Sequence, residues 1–283
     1  MPRNRVVLTV ALVTFAVVVG CWLSVGQGQG NAAALRPATS AVAYGYSQDP
    51  AVQRLWPSPR ILRLFLQNPA SLKPSSYPIG TQLWISFTTA PAIVDSGSYN
   101  ATFASILRSW NASEHIIYWD WEHEADDPIY HLNSTEVVKG WNQLLSVEHA
   151  NPNPRVKSMS IYEGYLLAPN HPHGNPASWY VNADVLGFDA YQATNELLAM
   201  AYSKSKHKPW AVPETGHEPN DAQDLTWLKA YIAAFQAYPP IGVAWYDQLH
   251  PNHNHPNFAN PLNTIPEVLA YLRSIDGSVA LSH

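Results

Sequence analysis

The chain has 283 residues, with 16 Lys and Arg against 21 Asp and Glu, a formal net charge of −5 at pH 7, and only 13% charged residues in all. Without a basic excess, nucleic acid and anionic membrane surfaces are poor partners. Trp (11) and Tyr (15) are abundant, and their flat rings suit either a dense core or stacking on sugar faces.

At the N-terminus Arg3 and Arg5 precede an almost wholly apolar run, Val6 to Val19, the pattern of a targeting segment. Three fates fit it. Ala32-Ala33-Ala34 offers a small-residue cleavage site. Val18-Val19-Gly20-Cys21 has the form of a lipobox, whose cysteine would be acylated. The run also reaches about 20 residues when counted through Val25, enough for a retained membrane anchor. All three put the remainder outside the cytoplasm, secreted or anchored to the outer face of the cell membrane. Residues 1–34 are therefore expected to be a signal peptide or a membrane or lipid anchor with its linker, and 35–283 one domain. Linker composition continues to residue 40. Loss of residues 1–34 removes two positive charges and no negative ones, taking the net charge from −5 to −7. Cys21 is the only cysteine, so the folded part holds no disulfide and depends on its core. Asn-x-Ser/Thr sequons stand at Asn100, Asn111 and Asn133.

Eight strand candidates follow: 41–47, 61–66, 82–87, 115–122, 156–162, 185–191, 210–214 and 242–247. Helical stripes lie between several of them. Phe103, Ile106, Leu107 and Trp110 recur at helical spacing, as do Val137, Val138, Trp141, Leu144 and Leu145 after Ser134-Thr135. Leu225, Leu228, Tyr231, Ile232 and Phe235 form a third stripe behind Asn220-Asp221. Thr264-x-x-Glu267 reads as a capping box before Val268, Leu269 and Leu272. Residues 68–81 carry three prolines where a helix should stand, so that unit reads as a loop. Eight strands with intervening helices over about 245 residues predict a single-domain (β/α)8 TIM barrel with an irregular second unit. An open doubly wound sheet would want a glycine-rich turn after its first strand, and GxGxxG is absent.

The chemistry concentrates in His115 to Asp127, HIIYWDWEHEADD. Interleaved aromatics and carboxylates are costly to bury unless the charges are paired or used. Glu124 and Glu214 are 90 residues apart (214 − 124), or three units of about 30 residues, which puts them at the C-terminal ends of the fourth and seventh strands. Two opposed carboxyl groups are what glycosidic cleavage needs, one protonated and one ionised. Glu124, among apolar and acidic neighbours, suits the proton donor. Glu214, in the turn Pro213-Glu-Thr-Gly216, suits the nucleophile.

The segments WEHEADD, GFDAY (187–191), WAVPETG (210–216) and VAWYD (243–247) resemble the clan A retaining glycoside hydrolases. The His-Glu dipeptide at the fourth strand is most similar to glycoside hydrolase family 26, the mannanases and related β-glycanases. The resemblance implies Glu124 as acid/base and Glu214 as nucleophile. It implies that His123 positions the acid or the substrate, that Tyr191 hydrogen-bonds the nucleophile, and that Trp245 floors the −1 subsite. Ala125-Asp126 after His-Glu departs from the pattern and points to a distant member.

Alternation puts Ile61, Arg63 and Phe65 on the inward face of the second strand, where Arg63 needs an acid; Asp120 or Glu122 is the natural partner. Arg63 is then either a buried ion pair or a sugar ligand. Asp189, inward with Tyr191, is either a substrate ligand or an interior hydrogen-bonder. Trp119 and Trp121 pack under helices, while Trp84 and Tyr246 are left open. His217 follows the nucleophile turn and is placed in the cleft. His250, His253 and His255 lie in an Asn/Pro-rich loop and read as solvated, so no metal and no cofactor is expected. The predicted function is secreted, retaining hydrolysis of a β-linked polysaccharide. A non-catalytic carbohydrate-binding or cell-wall barrel and a metal-dependent hydrolase are the competing readings.

Overall fold

A computed structural model describes residues 42–47, 50–168, 175–191, 193–216, 224–234, 238–246, 262 and 265–276. The N-terminal segment with Cys21, the 220–221 dipeptide, Thr264, His217 and the three loop histidines lie outside the described residues. Eight parallel strands form a closed barrel in sequence order: β1 (Ala43–Ser47), β2 (Ile61–Leu66), β3 (Gln82–Phe87), β4 (Ile117–Trp121), β5 (Val156–Glu163), β6 (Val185–Asp189), β7 (Trp210–Thr215) and β8 (Gly242–Trp245). β8 pairs with β1 and closes the ring. The helices are α1 (Pro50–Leu55), α2 (Pro91–Asp95), α3 (Asn100–Asn111), α4 (Ser134–Ala150), α5 (Ala193–Ser205), α6 (Asp224–Ala234) and α7 (Pro266–Ile275). None of the described helices is long and apolar enough to cross a membrane.

Two apolar layers follow from the two-residue period of the strands. Inward residues, among them Ile61, Trp84, Tyr118, Met159 and Ile161, fill the lower barrel. Outward residues, among them Leu62, Leu64, Ile85, Trp119 and Phe188, pack beneath the helices. The interior accommodates the Trp84 indole because β8 presents glycine there: a Cβ on Gly242 would stand 3.0 Å from Trp84 and 2.4 Å from Ile61. Residues 68–81 contain no α-helix, only the 3-10 turns Pro69–Ser71 and Pro74–Ser76, the first capped by Asn68 through the Ala70 N–H. The doubly wound alternative is excluded by closure.

Some boundaries differ from the sequence reading. β4 ends at Trp121 because Glu122 adopts a left-handed conformation, φ 57. The N-cap of α7 is Ile265, with no side-chain cap hydrogen bond. Trp119 and Trp121 lie under the helices as expected. The Trp119 ring stacks on Trp141 at 5.0 Å and donates to Glu148 Oε1 at 2.9 Å; Trp121 donates to the Thr89 carbonyl.

The two ends of the described chain are joined by one carboxylate. Asp276, fully buried after α7, accepts the Tyr44 N–H at 2.8 Å and the Arg60 N–H at 3.1 Å.

Helix α4 meets the barrel through Gly140, where a Cβ would lie 2.5 Å from Trp121 Cη2. Trp121 is fully buried and cannot yield. Alanine would gain about 0.5–1 kcal/mol of helix propensity, but overpacking a filled site costs about 1–3 kcal/mol. Gly140→Ala is expected to lower the midpoint of denaturant unfolding; an unchanged or raised midpoint would mean that the indole has room to move.

Candidate active site

Above the apolar plug the barrel interior turns polar, and Arg63 is its base. The side chain is fully buried. Its Nη2 donates to Ser86 Oγ at 2.7 Å and to His123 Nδ1 at 3.1 Å, and lies 3.6 Å from Glu214 Oε1. Ser86 in turn donates to Asp120 Oδ2 at 2.5 Å. The acid paired with Arg63 is therefore Glu214, and Asp120 is reached only through Ser86. Glu122 is not a partner: its left-handed backbone turns its side chain aside, and Oε1 accepts the Thr89 N–H at 3.0 Å. The Phe65 ring covers the guanidinium at 4.2 Å. Buried beneath that ring, Arg63 cannot touch a ligand, which corrects its placement among substrate-binding residues.

A guanidinium only donates, so His123 Nδ1 must accept and Nε2 must carry the ring proton. That Nε2 faces three carboxyl groups, 3.0 Å from Glu214 Oε1, 3.3 Å from Asp189 Oδ2 and 3.6 Å from Glu124 Oε2. The angles are poor: neither Glu214 Oε1 nor either oxygen of Asp189 accepts a well-formed hydrogen bond. The expectation of Asp189 as an interior hydrogen-bonder is thus not met. His123, Glu124 and Asp189 bring potential metal-ligand atoms within 4.8 Å of one another. A metal would need the Nε2 lone pair while Arg63 occupies the other, which requires an imidazolate, so the ring is poorly suited to ligate.

Glu214 owes its direction to a bulge. β7 pairs Val212 with Val243 and Thr215 with Trp245, three residues against two. Ala211 faces inward, so strict alternation would turn Glu214 outward. The extra residue puts Glu214 into the barrel and Thr215 outside, where its hydroxyl donates to the Ala190 carbonyl. Inside, Glu214 Oε2 accepts the Tyr191 hydroxyl at 3.1 Å, as expected. Burial alone would raise the Glu214 carboxyl, but the His123 ring, Arg63 and Tyr191 outweigh it and hold it below the usual range.

Glu124 follows β4 in a left-handed conformation, φ 50. Burial first, then the negative Glu214, Glu163, Asp126 and Asp127, push its carboxyl well above the usual range. Its side chain keeps 19% exposure. Both glutamates lie on one His123 nitrogen, so their nearest oxygens are no further apart than the sum of those 3.6 and 3.0 Å contacts.

Trp245 does not floor the cleft. It faces outward on β8, 1% exposed, with its ring edge-on to Trp227 of α6 at 6.3 Å. The phase of β8 explains this: Gly242 and Ala244 point inward, Val243 and Trp245 outward. The next residue, Tyr246, faces Phe65 edge-on at 6.5 Å, and its hydroxyl is raised by burial and by Glu214, Glu124 and Asp189. Sequence reasoning also missed Glu163, Asp126, Tyr130 and Tyr165. Counting by twos from Met159 and Ile161 would have found Glu163; the others sit on turns without periodicity.

These acids set a pH dependence of stability. Burial foremost pushes Glu122 and Asp126 to about 7 and Glu163 to about 8. Between their ordinary values near 4 and these, the folded chain keeps protons that the unfolded chain has released. Stability therefore falls as pH rises through that window. Glu214, shifted the other way, contributes equally across it. Calorimetric melting temperatures are expected to drop between about pH 5 and about pH 8; a rise would contradict the burial of these groups.

No protein-family profile matches the sequence, and no curated protein matches it. Solved structures do match. A GH26 β-mannanase from Bacteroides ovatus aligns over 84% of this chain and 90% of its own, with a TM-score of 0.58 and 13% identity. The Podospora anserina GH26-CBM35 β-(1,4)-mannanase aligns over 85% of this chain and 62% of its own, TM-score 0.55, 13% identity. A Cellulomonas fimi endo-β-1,4-mannanase double mutant aligns over 84% and 71%, TM-score 0.53, 12% identity. At such identities the likeness is one of fold, and the chain has the (β/α)8 fold of these GH26 structures.

Proposed function

We propose that the protein is a retaining glycoside hydrolase that cleaves a β-linked polysaccharide outside the cytoplasm, with residues 35–283 as its catalytic domain. The observation that carries this is the opposite shift of two glutamates sharing one histidine nitrogen: Glu124 held toward the acid, Glu214 toward the carboxylate. Two carboxyl groups with separated affinities for protons define an acid and a nucleophile.

In the proposed reaction the Glu214 carboxylate attacks the anomeric carbon while Glu124 gives its proton to the departing glycosidic oxygen. The sugar is left as an ester on Glu214. Glu124, now a carboxylate, takes a proton from water, whose oxygen displaces Glu214 and restores both residues. Arg63, His123 and Tyr191 hold the nucleophile ionised and fixed. The bound on the separation of the Glu124 and Glu214 oxygens accommodates the about 5–5.5 Å typical of retention. The neighbours named as β-1,4-mannanases support a β-linked hexose polymer as substrate. The targeting pattern of residues 1–34 supports a secreted or surface-anchored location.

Glu214→Gln is expected to lower kcat/KM at least about a thousand-fold on any polysaccharide the wild type cleaves, with its circular dichroism unchanged. The first product should keep the β-anomeric configuration by proton NMR. Undiminished turnover in the folded variant would end the proposal.

A further inference from the structure

β5 and β6 build the side of the mouth that runs between Glu124 and Glu214, and they carry two carboxyl groups abreast. Glu163 and Asp189 are register partners, so their backbones stand about 4.8 Å apart. Each continues the inward face of its strand, Glu163 above Met159 and Ile161, Asp189 above Val185 and Gly187. Glu163 is 7% exposed; Asp189 is 3% exposed, its side chain fully buried, so an ammonium meets Glu163 first and reaches Asp189 only as the wall opens around it. Asp126, fully buried, adds a third carboxyl through its Oδ1, which accepts the Glu163 N–H; its Oδ2 accepts no hydrogen bond. Neither oxygen of Asp189 accepts one either.

Among the described residues no lysine or arginine forms an ion pair with Asp189 or Asp126. Arg63, the guanidinium of this layer, is committed to Ser86, His123 and Glu214. Buried acidic oxygens without donors are costly, and a cation with several N–H groups satisfies both deficits. A metal dication is disfavoured by the His123 Nε2–H, which stands 3.3 Å from Asp189 Oδ2. A sugar hydroxyl would supply a donor but no charge. An ammonium supplies three donors and one charge.

We propose that the Glu163–Asp189 wall is a subsite for the ammonium group of an amino sugar, and that the substrate is a cationic, de-N-acetylated β-linked polysaccharide. This rests on the hydrolase reading above. The net charge of −5 favours approach of a polycation. Burial pushes both carboxyls up, with acidic neighbours adding to it. A bound ammonium draws them back to carboxylate, so binding releases protons. N-acetylation of the same sugar removes the charge and adds bulk.

The test is equilibrium binding of four hexamers to the wild-type protein: β-1,4-glucosamine, its fully N-acetylated counterpart, and the neutral gluco- and manno-oligomers. Reducing-end release is followed in the same samples. The amine oligomer is expected to bind at least about ten-fold more tightly than the other three, a charge-assisted contact's worth. The advantage should shrink at high salt, persist in chelator, and fall at least about five-fold in Glu163→Gln. Equal or weaker binding of the amine oligomer, or an advantage that needs added divalent metal, overturns the subsite. The wild-type comparison decides if Glu163→Gln does not fold. Cleavage of neutral oligomers without amine preference sinks this inference alone. Tight amine binding with no cleavage of any oligomer sinks the hydrolase reading and leaves the subsite.

Discussion

One buried guanidinium organises the upper half of this barrel. Isolated charge inside a protein is prohibitively expensive, and Arg63 is tolerated because acids and acceptors converge on it from three other strands, β3, β4 and β7. The dependence is mutual. Without Arg63, Ser86 loses the donor that orients it toward Asp120, His123 loses the constraint on its tautomer, and Glu214 loses the nearest full positive charge. Phe65 then closes the arrangement from above and keeps solvent from screening it. The chemistry of the mouth is thus set from below, by a side chain that no ligand touches.

Much of this was legible in the sequence. The number and order of strands, the proline-broken second unit and the inward face of β2 follow from period-two alternation and chain order, while the contact of Tyr191 with Glu214 came only from the family resemblance. Two of the illegible parts depend on a backbone irregularity. The bulge in β7 reverses the phase at Glu214, and alternation counted from Ala211 would have sent that side chain among the helices. Two left-handed residues flank His123, and no residue in Glu-His-Glu announces them, since neither glycine nor asparagine is present. Backbone of this kind costs about 1–3 kcal/mol per residue and persists where the surroundings enforce it.

Trp245 makes the same point in reverse. Its place after the eighth strand suggested a ring under the sugar, but β8 has no bulge to turn it, so unbroken alternation sends it to the helices. Tyr246, one residue on, takes the inward position. Partner choice was also beyond sequence: Asp120 lies on the strand two away from Arg63 and seemed its natural acid, yet Ser86 fills the gap between them. A residue-by-residue pattern shows which face a side chain occupies, and not how far it reaches.

The Asp276 clasp bears on how the molecule is made. The strand that begins the ring and the helix that ends the described chain are held by a single carboxylate, across separations of 232 and 216 residues. Until β8 has been made β1 lacks its second neighbour, and until the helix after it has been made β1 lacks this anchor; over that interval its edge is open to wrong pairing. Closure is therefore a late, whole-chain event with a high contact order. A ring whose first strand waits on its eighth has no half-built form with every edge covered.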